Sequence, residues 1–224
     1  MNIGIILAAG TSSRFLINNH CKVQKQLHIL NGKAIVAHST EVFCKSVDKT
    51  IVVTNSDCYL QIKKTFKKHD IDVIKNDINC RITSIKTAIN HIGNSTVSNI
   101  IIHDAARPFI TKKHIKILLD SSKNYLCSQF YFKLVNGLIK VNENDVEIAD
   151  RNQYIELVTP QIIDYRLARD LFQNYIDLKS CEIIPILNTL KIKYNLIEAS
   201  QIHLRKITTM SDIQQSSHGG LLYS

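Results

Sequence analysis

The amino-acid sequence predicts an α/β fold, a mostly parallel sheet with helices on both faces and a projecting β arm. Three observations lead there. Short apolar runs of strand length alternate with segments whose apolar residues recur at spacings of three and four, the rhythm of β-α-β-α units. The chain has 224 residues, 45% hydrophobic and 21% charged, enough for one substantial core with at most a small appended lobe. The first apolar run, Ile3-Gly4-Ile5-Ile6-Leu7, passes directly into a loop of small residues, and ligands bind such sheets at the carboxyl ends of their strands.

Taken in order, residues 2–7 read as the first strand and 34–44 as the first long helix. Residues 49–54 form a second strand, 60–69 a helix and 72–75 a third strand. A helix over 82–92 leads into the most apolar strand, 99–103, and a further helix spans 111–124. Residues 129–135 form a strand, and 196–199 the last one. Residues 135–148 break the rhythm. There, Leu134-Val135-Asn136-Gly137-Leu138-Ile139 reads as strand, turn, strand, and Asn142-Glu143-Asn144-Asp145 as a second turn. A β arm at about 134–150 is expected, within a single domain over 1–224.

Composition excludes several classes of protein. No apolar run approaches the roughly 20 residues that span a bilayer, and no basic region precedes the first apolar segment, so neither a membrane partner nor a secretory signal is expected. A cytoplasmic location follows as an expectation. The six cysteines, Cys21, Cys44, Cys58, Cys80, Cys127 and Cys181, are scattered without a C-x-x-C pair, which fits reduced thiols and no zinc site. A formal net charge of +9 suits an anionic ligand or nucleic acid. The basic residues are dispersed and there is no tryptophan for a stacking platform, so no nucleic-acid partner is expected.

Two constellations carry chemistry. Ala8-Ala9-Gly10-Thr11-Ser12-Ser13-Arg14 matches neither G-x-x-x-x-G-K-[ST] nor G-x-G-x-x-G. Small residues there let backbone N–H groups approach a polyphosphate, and Arg14, Lys22 and Lys25 supply the charge to cradle a triphosphate. The second is His103-Asp104-Ala105-Ala106-Arg107-Pro108-Phe109 at the end of the most apolar strand. A carboxylate at Asp104 can hold Mg²⁺ or accept a hydroxyl, and Arg107 can grip a phosphate in bidentate fashion. His103 reads as a packing or hydrogen-bonding residue.

Leu7-Ala8-Ala9-Gly10, Arg14, Lys25-Gln26, Arg81 with Ser84, His103 to Pro108, Arg151, Thr159-Pro160-Gln161 and Lys206-Ile207-Thr208 occur in one order and spacing. In these the chain resembles the cytidylyltransferases acting on 2-C-methyl-D-erythritol 4-phosphate and on D-ribitol 5-phosphate. The resemblance covers nearly the whole sequence. It implies a Rossmann-like fold, CTP as cosubstrate, Mg²⁺, a small alditol phosphate as acceptor, and a homodimer built by the β arm. It further implies that Arg14 and Lys25 bind the CTP phosphates and that Ala8, Ala9 and Gly10 pass beneath the nucleotide. Arg81 and Ser84 would help to hold the cytidine. Asp104 and Arg107 would sit near the metal and the acceptor phosphate, with Thr159 and Lys206 lining the acceptor and the reacting phosphorus. Arg151 would reach across the dimer to the acceptor.

The chain also departs from that family. Asp77-Ile78 stands where a Gly-Gly pair allows the backbone close to the base, Ser12 or Ser13 replaces a second loop glycine, and Gln24 replaces a proline. Asn136-Gly137 replaces Asp-Thr in the arm, and Arg205 an asparagine before Lys206. Ser180-Cys181-Glu182-Ile183 looks more like the Ala-Cys-Lys-Ile of the ribitol enzymes, and Arg107 to Thr111 and Arg151-Asn152 lean the same way. These features put D-ribitol 5-phosphate ahead as acceptor, with the methylerythritol phosphate as the alternative. A nucleotide-binding module without catalysis is the reading from another class.

Overall fold

The structure is a computed structural model that describes residues 1–17, 23–67, 69–93, 96–142, 145–175 and 182–218. In chain order the elements are β1 (Asn2–Ala8), α1 (Ser13–Ile17), β2 (Ile29–Leu30), β3 (Lys33–Ala34), α2 (Ile35–Cys44), β4 (Lys49–Thr54), α3 (Ser56–Thr65), β5 (Ile71–Lys75), α4 (Arg81–Ile92) and β6 (Asn99–Asp104). There follow α5 (Lys112–Ser121), β7 (Cys127–Lys133), β8 (Leu138–Val141), β9 (Val146–Ala149), β10 (Ile155–Asp164), α6 (Tyr165–Asn174), α7 (Ile184–Thr189), β11 (Asn195–Glu198), α8 (Gln201–Leu204) and α9 (Met210–His218).

Seven strands form the central sheet in the order β11-β7-β10-β6-β1-β4-β5. β10 runs antiparallel to β6 and β7, while β1–β4, β1–β6, β4–β5 and β7–β11 pair in parallel. Side chains alternate across the sheet, so each strand feeds two cores. Ile3, Ile5, Ile51, Val53, Ile100 and Ile102 pack under α4, α6 and α7. Ile6, Val52 and Ile101, one residue out of phase, pack under α2, α3 and α5. A Cβ on Gly4 would collide with the Phe43 ring, so glycine at that position is what lets α2 lie close against β1. Among the described residues no helix is long and apolar enough to cross a membrane.

Helix starts follow from caps. The helix expected at 60–69 begins earlier, at Ser56, because Asn55 Oδ1 accepts the Cys58 N–H at 3.0 Å. α6, absent from the sequence reading, starts where Asp164 Oδ1 accepts the Leu167 N–H at 3.0 Å, and it buries Tyr165, Ala168, Leu171 and Phe172. β10 is likewise a strand that the sequence pattern does not show. Its ladder with β7 breaks between Val158 and Gln161, around Pro160, which has no N–H to donate.

The turn read at Asn136-Gly137 does not join a hairpin. β7 has β10 on one side and β11 on the other, leaving it no edge to offer to β8. β8 pairs instead with β9 in a separate two-stranded sheet, closed by the Asn142 N–H to Asp145 carbonyl bond at 2.9 Å. Ile139 faces Ile148 and Val141 faces Val146, so one face of this hairpin is aliphatic, and all four residues are exposed.

A third, smaller cluster gathers Phe15 of α1, Leu30 of β2, Ile35 of α2, Phe109, Ile207 and Ile213 of α9. It ties together the segments that carry Arg14, Lys25 and Lys206, which are far apart in sequence.

Candidate active site

A cavity of about 240 Å³ opens at the carboxyl ends of β1 and β6. Ala8, Ala9 and Gly10 form its floor as they leave β1, Arg81 and Ser84 enter from the first turn of α4, and Asp104 ends β6. Lys25 and Lys206 complete the wall. Small residues at the end of β1 have a physical consequence: a Cβ on Gly10 would meet nothing within 4 Å, so the space above it is free for a ligand.

Charge in the cavity is unbalanced toward the positive. Asp104 is the carboxylate at the centre, with Lys206 Nζ at 2.9 Å, Arg81 Nε at 3.9 Å and Arg107 Nε at 4.0 Å. Burial alone would raise its pKa, but Lys206, Arg81 and Arg107 outweigh burial and hold it well below the usual carboxylate range. Lys25 has the opposite problem. Its own burial, with Lys206 and Arg14 nearby, brings its pKa down to about 8, against a smaller opposing pull from Asp104. Cations crowded in this way are stabilised by a polyanion, so the site is built to receive one.

A hydrogen-bond network fixes Lys25 relative to the loop after β1. Ser12, at a φ of 59°, accepts the Lys25 N–H on its Oγ at 3.1 Å and donates to Gln26 Oε1 at 2.9 Å. Gln26 Nε2 donates to the Gly10 carbonyl at 3.3 Å and to Gln24 Oε1 at 2.8 Å. Asn55 Nδ2 donates to the same Gln24 oxygen at 2.9 Å. Gln24 adopts φ −61° and ψ 142°, a backbone geometry open to proline, and hydrogen bonds hold it there.

The structure thus brings together Ala8, Ala9, Gly10, Lys25, Arg81, Ser84, Asp104 and Lys206. The hydroxyl of Ser84 faces inward: it donates to the Cys80 carbonyl at 3.1 Å and accepts from Asn76 Nδ2 at 2.9 Å. Arg14 lies exposed on α1 outside the lining, near enough to act on Lys25. Arg107 and Thr159 stand behind the wall. Arg107 is buried and donates to the Leu204 carbonyl, and Thr159 Oγ1 accepts the Asp104 N–H at 3.1 Å. Each therefore fixes a segment that carries a cavity residue. Arg151 sits away from the cavity, exposed in the 3-10 turn Arg151–Gln153 at the foot of the hairpin, where it donates to the Val135 carbonyl. His103 is buried against Phe43 and bonds the Arg107 carbonyl, and burial lowers its pKa to about 4, so it is neutral. Lys22, Ser180 and Cys181 lie outside the described residues.

Gln26, Ser12 and Asn76 act in the site without having been singled out for it. Gln26 stands beside Lys25 in the family resemblance, but nothing in the sequence shows that it turns back to the Gly10 carbonyl. Among the described residues no three His, Cys, Asp or Glu side chains cluster as a metal site. Asp104 is one carboxylate already engaged by Lys206, which fits a divalent ion held chiefly by ligand phosphates and touching the protein at one oxygen.

A family model described as IspD: 2-C-methyl-D-erythritol 4-phosphate cytidylyltransferase matches residues 3–217. The 2-C-methyl-D-erythritol 4-phosphate cytidylyltransferase of Thermotoga neapolitana is 25% identical over 216 residues, 96% of this chain and 94% of that protein. The bifunctional ribulose 5-phosphate reductase/CDP-ribitol pyrophosphorylase Bcs1 of Haemophilus influenzae is 25% identical over 225 residues, 95% of this chain and 46% of that protein. In fold, the chain is similar to the 4-diphosphocytidyl-2C-methyl-D-erythritol synthase of Anaerococcus prevotii, with a TM-score of 0.82 at 16% identity, covering 97% of this chain and 95% of that one.

Proposed function

The chain belongs to the IspD family of CTP-dependent cytidylyltransferases, and from that membership we propose that it transfers CMP from CTP to 2-C-methyl-D-erythritol 4-phosphate. The family match over residues 3–217 carries the reading, and relatives of that name cover nearly the whole chain. The ribitol 5-phosphate favoured by local sequence features becomes the second reading. It is supported by the similarity to Bcs1 and by Ser180-Cys181-Glu182-Ile183, Arg107 to Thr111 and Arg151-Asn152.

An oxygen of the acceptor phosphate attacks the α-phosphorus of CTP; the new O–P bond forms as the bond to the bridging oxygen breaks, and pyrophosphate leaves with the electron pair. A phosphate monoester has a second pKa of about 6, so its oxygen is already anionic and needs no general base. What the protein must supply is alignment of two anions and compensation of charge at phosphorus. Lys25 and Arg14 hold the phosphates of CTP. Lys206, released from Asp104 as the triphosphate arrives, faces the reacting phosphorus, and Arg107 keeps its segment in place. A divalent ion accompanying CTP, with Asp104 as its protein ligand, would neutralise phosphate charge and orient the leaving group.

We also propose a homodimer through the β8–β9 hairpin. Ile139, Val141, Val146 and Ile148 present an apolar face larger than a lone surface side chain, and Arg151 stands at its foot, where a second subunit would bring an acceptor within reach. Pyrophosphate release with CTP and either acceptor, run in parallel, tests the assignment. Faster turnover with the methylerythritol phosphate is expected; release with neither acceptor overturns both readings.

A further inference from the structure

The loop of residues 76–80 between β5 and α4 forms one rim of the cavity, and it is anchored on both sides. Asn76, buried, donates through Nδ2 to the Ile78 carbonyl at 2.9 Å, to Ser84 Oγ at 2.9 Å and to Thr83 Oγ1 at 3.2 Å. The Cys80 N–H donates to the same Ile78 carbonyl at 2.7 Å. Asp77 points the other way, and its carboxylate accepts the Ser56 N–H at 2.6 Å and the Ser56 hydroxyl at 2.7 Å, at the start of α3.

These anchors decide what residue 78 can offer. Two short hydrogen bonds use both lone pairs of its carbonyl, so that oxygen is closed to a ligand. The side chain remains. It is 60% exposed, lines the cavity beside Ala8, Ala9 and Cys80, and sits on a loop that cannot fold it away. Single exposed aliphatic residues are ordinary on protein surfaces. Here the residue is held in place over the space where the ligand must lie.

We propose that Ile78 is a nucleotide-binding residue whose side chain packs against the face of the CTP pyrimidine ring. The proposal rests on the cytidylyl-transfer reading. Aliphatic packing on one ring face replaces close backbone approach, and the Asp77–Ser56 bonds set the height of the rim. The base takes no part in bond making, so its loss of contact weakens binding equally in ground and transition states.

Calorimetric titration of CTP with Mg²⁺, in the absence of acceptor, tests this in the wild type, Ile78→Ala and Ile78→Leu, with pyrophosphate as a ligand that lacks the base. Ile78→Ala should weaken CTP roughly tenfold, as expected for losing part of the contact made by three side-chain carbons. Ile78→Leu should stay within about threefold of wild type, and pyrophosphate affinity should be unchanged in both. Unchanged CTP affinity in Ile78→Ala, or an equal loss for CTP and pyrophosphate, overturns the proposal while leaving the function intact. Wild-type protein that binds no CTP overturns the function and this inference together.

Discussion

Lys206 Nζ and Asp104 Oδ2 lie 2.9 Å apart and join segments separated by 102 residues. The site therefore carries its own anion, and under the proposed function a triphosphate would compete with Asp104 for the same lysine. Replacing Lys206 with alanine should lower kcat at least about 10²-fold, the order seen when a preorganised transition-state donor is removed. Pyrophosphate-release kinetics read that loss directly, and near-normal turnover would take Lys206 out of the mechanism.

Lys25 titrates near pH 8, below its ordinary value, chiefly through burial and then through Lys206 and Arg14. A polyanion binds its protonated form. Between pH 7 and 9 CTP affinity should therefore fall about tenfold in the wild type, following the protonated fraction, and Lys25→Met should show weak, pH-flat binding. The sign for stability is reversed. A lysine depressed on folding opposes folding below its folded pKa, so without ligand its cost is relieved as pH rises from about 8 toward the unfolded value. A CTP affinity independent of pH in the wild type would contradict the assignment.

Asp104 is held low by Lys206, Arg81 and Arg107 against the upward push of burial, so it contributes stability above the unfolded carboxylate value and loses it on acidification. Thermal unfolding of the wild type should steepen below about pH 4. Asp104→Asn, which leaves three cations without their anion, should be less stable by about 3 kcal/mol at neutral pH and lack that acid limb. Parallel acid limbs in the two proteins would show that the pairing is unimportant.

Two glycines of the first strand region should behave oppositely. Gly4→Ala drives a methyl into Phe43 and should destabilise the fold by about 1–3 kcal/mol. Gly10→Val meets open space in the protein and should leave the melting temperature near wild type while abolishing CTP binding by filling the cavity. Melting curves with and without CTP separate the two effects.

Ile148, 94% exposed on the aliphatic face of the hairpin, should matter to assembly and not to folding. Ile148→Asp should shift a dimer toward monomer in analytical ultracentrifugation with the melting curve of the monomer preserved. An unchanged sedimentation coefficient would remove the hairpin from the interface.

Much of the sheet was legible because β1, β4 and β6 are continuous apolar runs, the pattern of strands buried on both faces. β10 was hidden because Pro160 argues against a strand. In the structure the β10–β6 ladder reaches only to Gln161 and Ile102, and beyond it the Thr159 hydroxyl accepts the Asp104 N–H. The hairpin was displaced for a related reason: Asn136-Gly137 carries a strong local turn signal, but β7 is claimed on both sides by long-range partners. In the site, Lys25, Asp104 and Lys206 could be found from residue type and order. The bond of Gln26 to Gly10 could not, since it depends on how separate loops meet, whereas the bond of Asn76 to Ile78 lies within one loop.

The small cluster of Phe15, Leu30, Ile35, Phe109, Ile207 and Ile213 fixes when activity can begin during synthesis. A domain generally folds as a unit as the ribosome delivers it. β1 must wait for its partners β4 and β6, and Lys206 joins only after Ile207 and Ile213 have emerged and the Ile207 N–H has closed onto the Ala106 carbonyl at 2.8 Å. Until translation has passed that point, the cavity lacks the wall that Lys206 supplies.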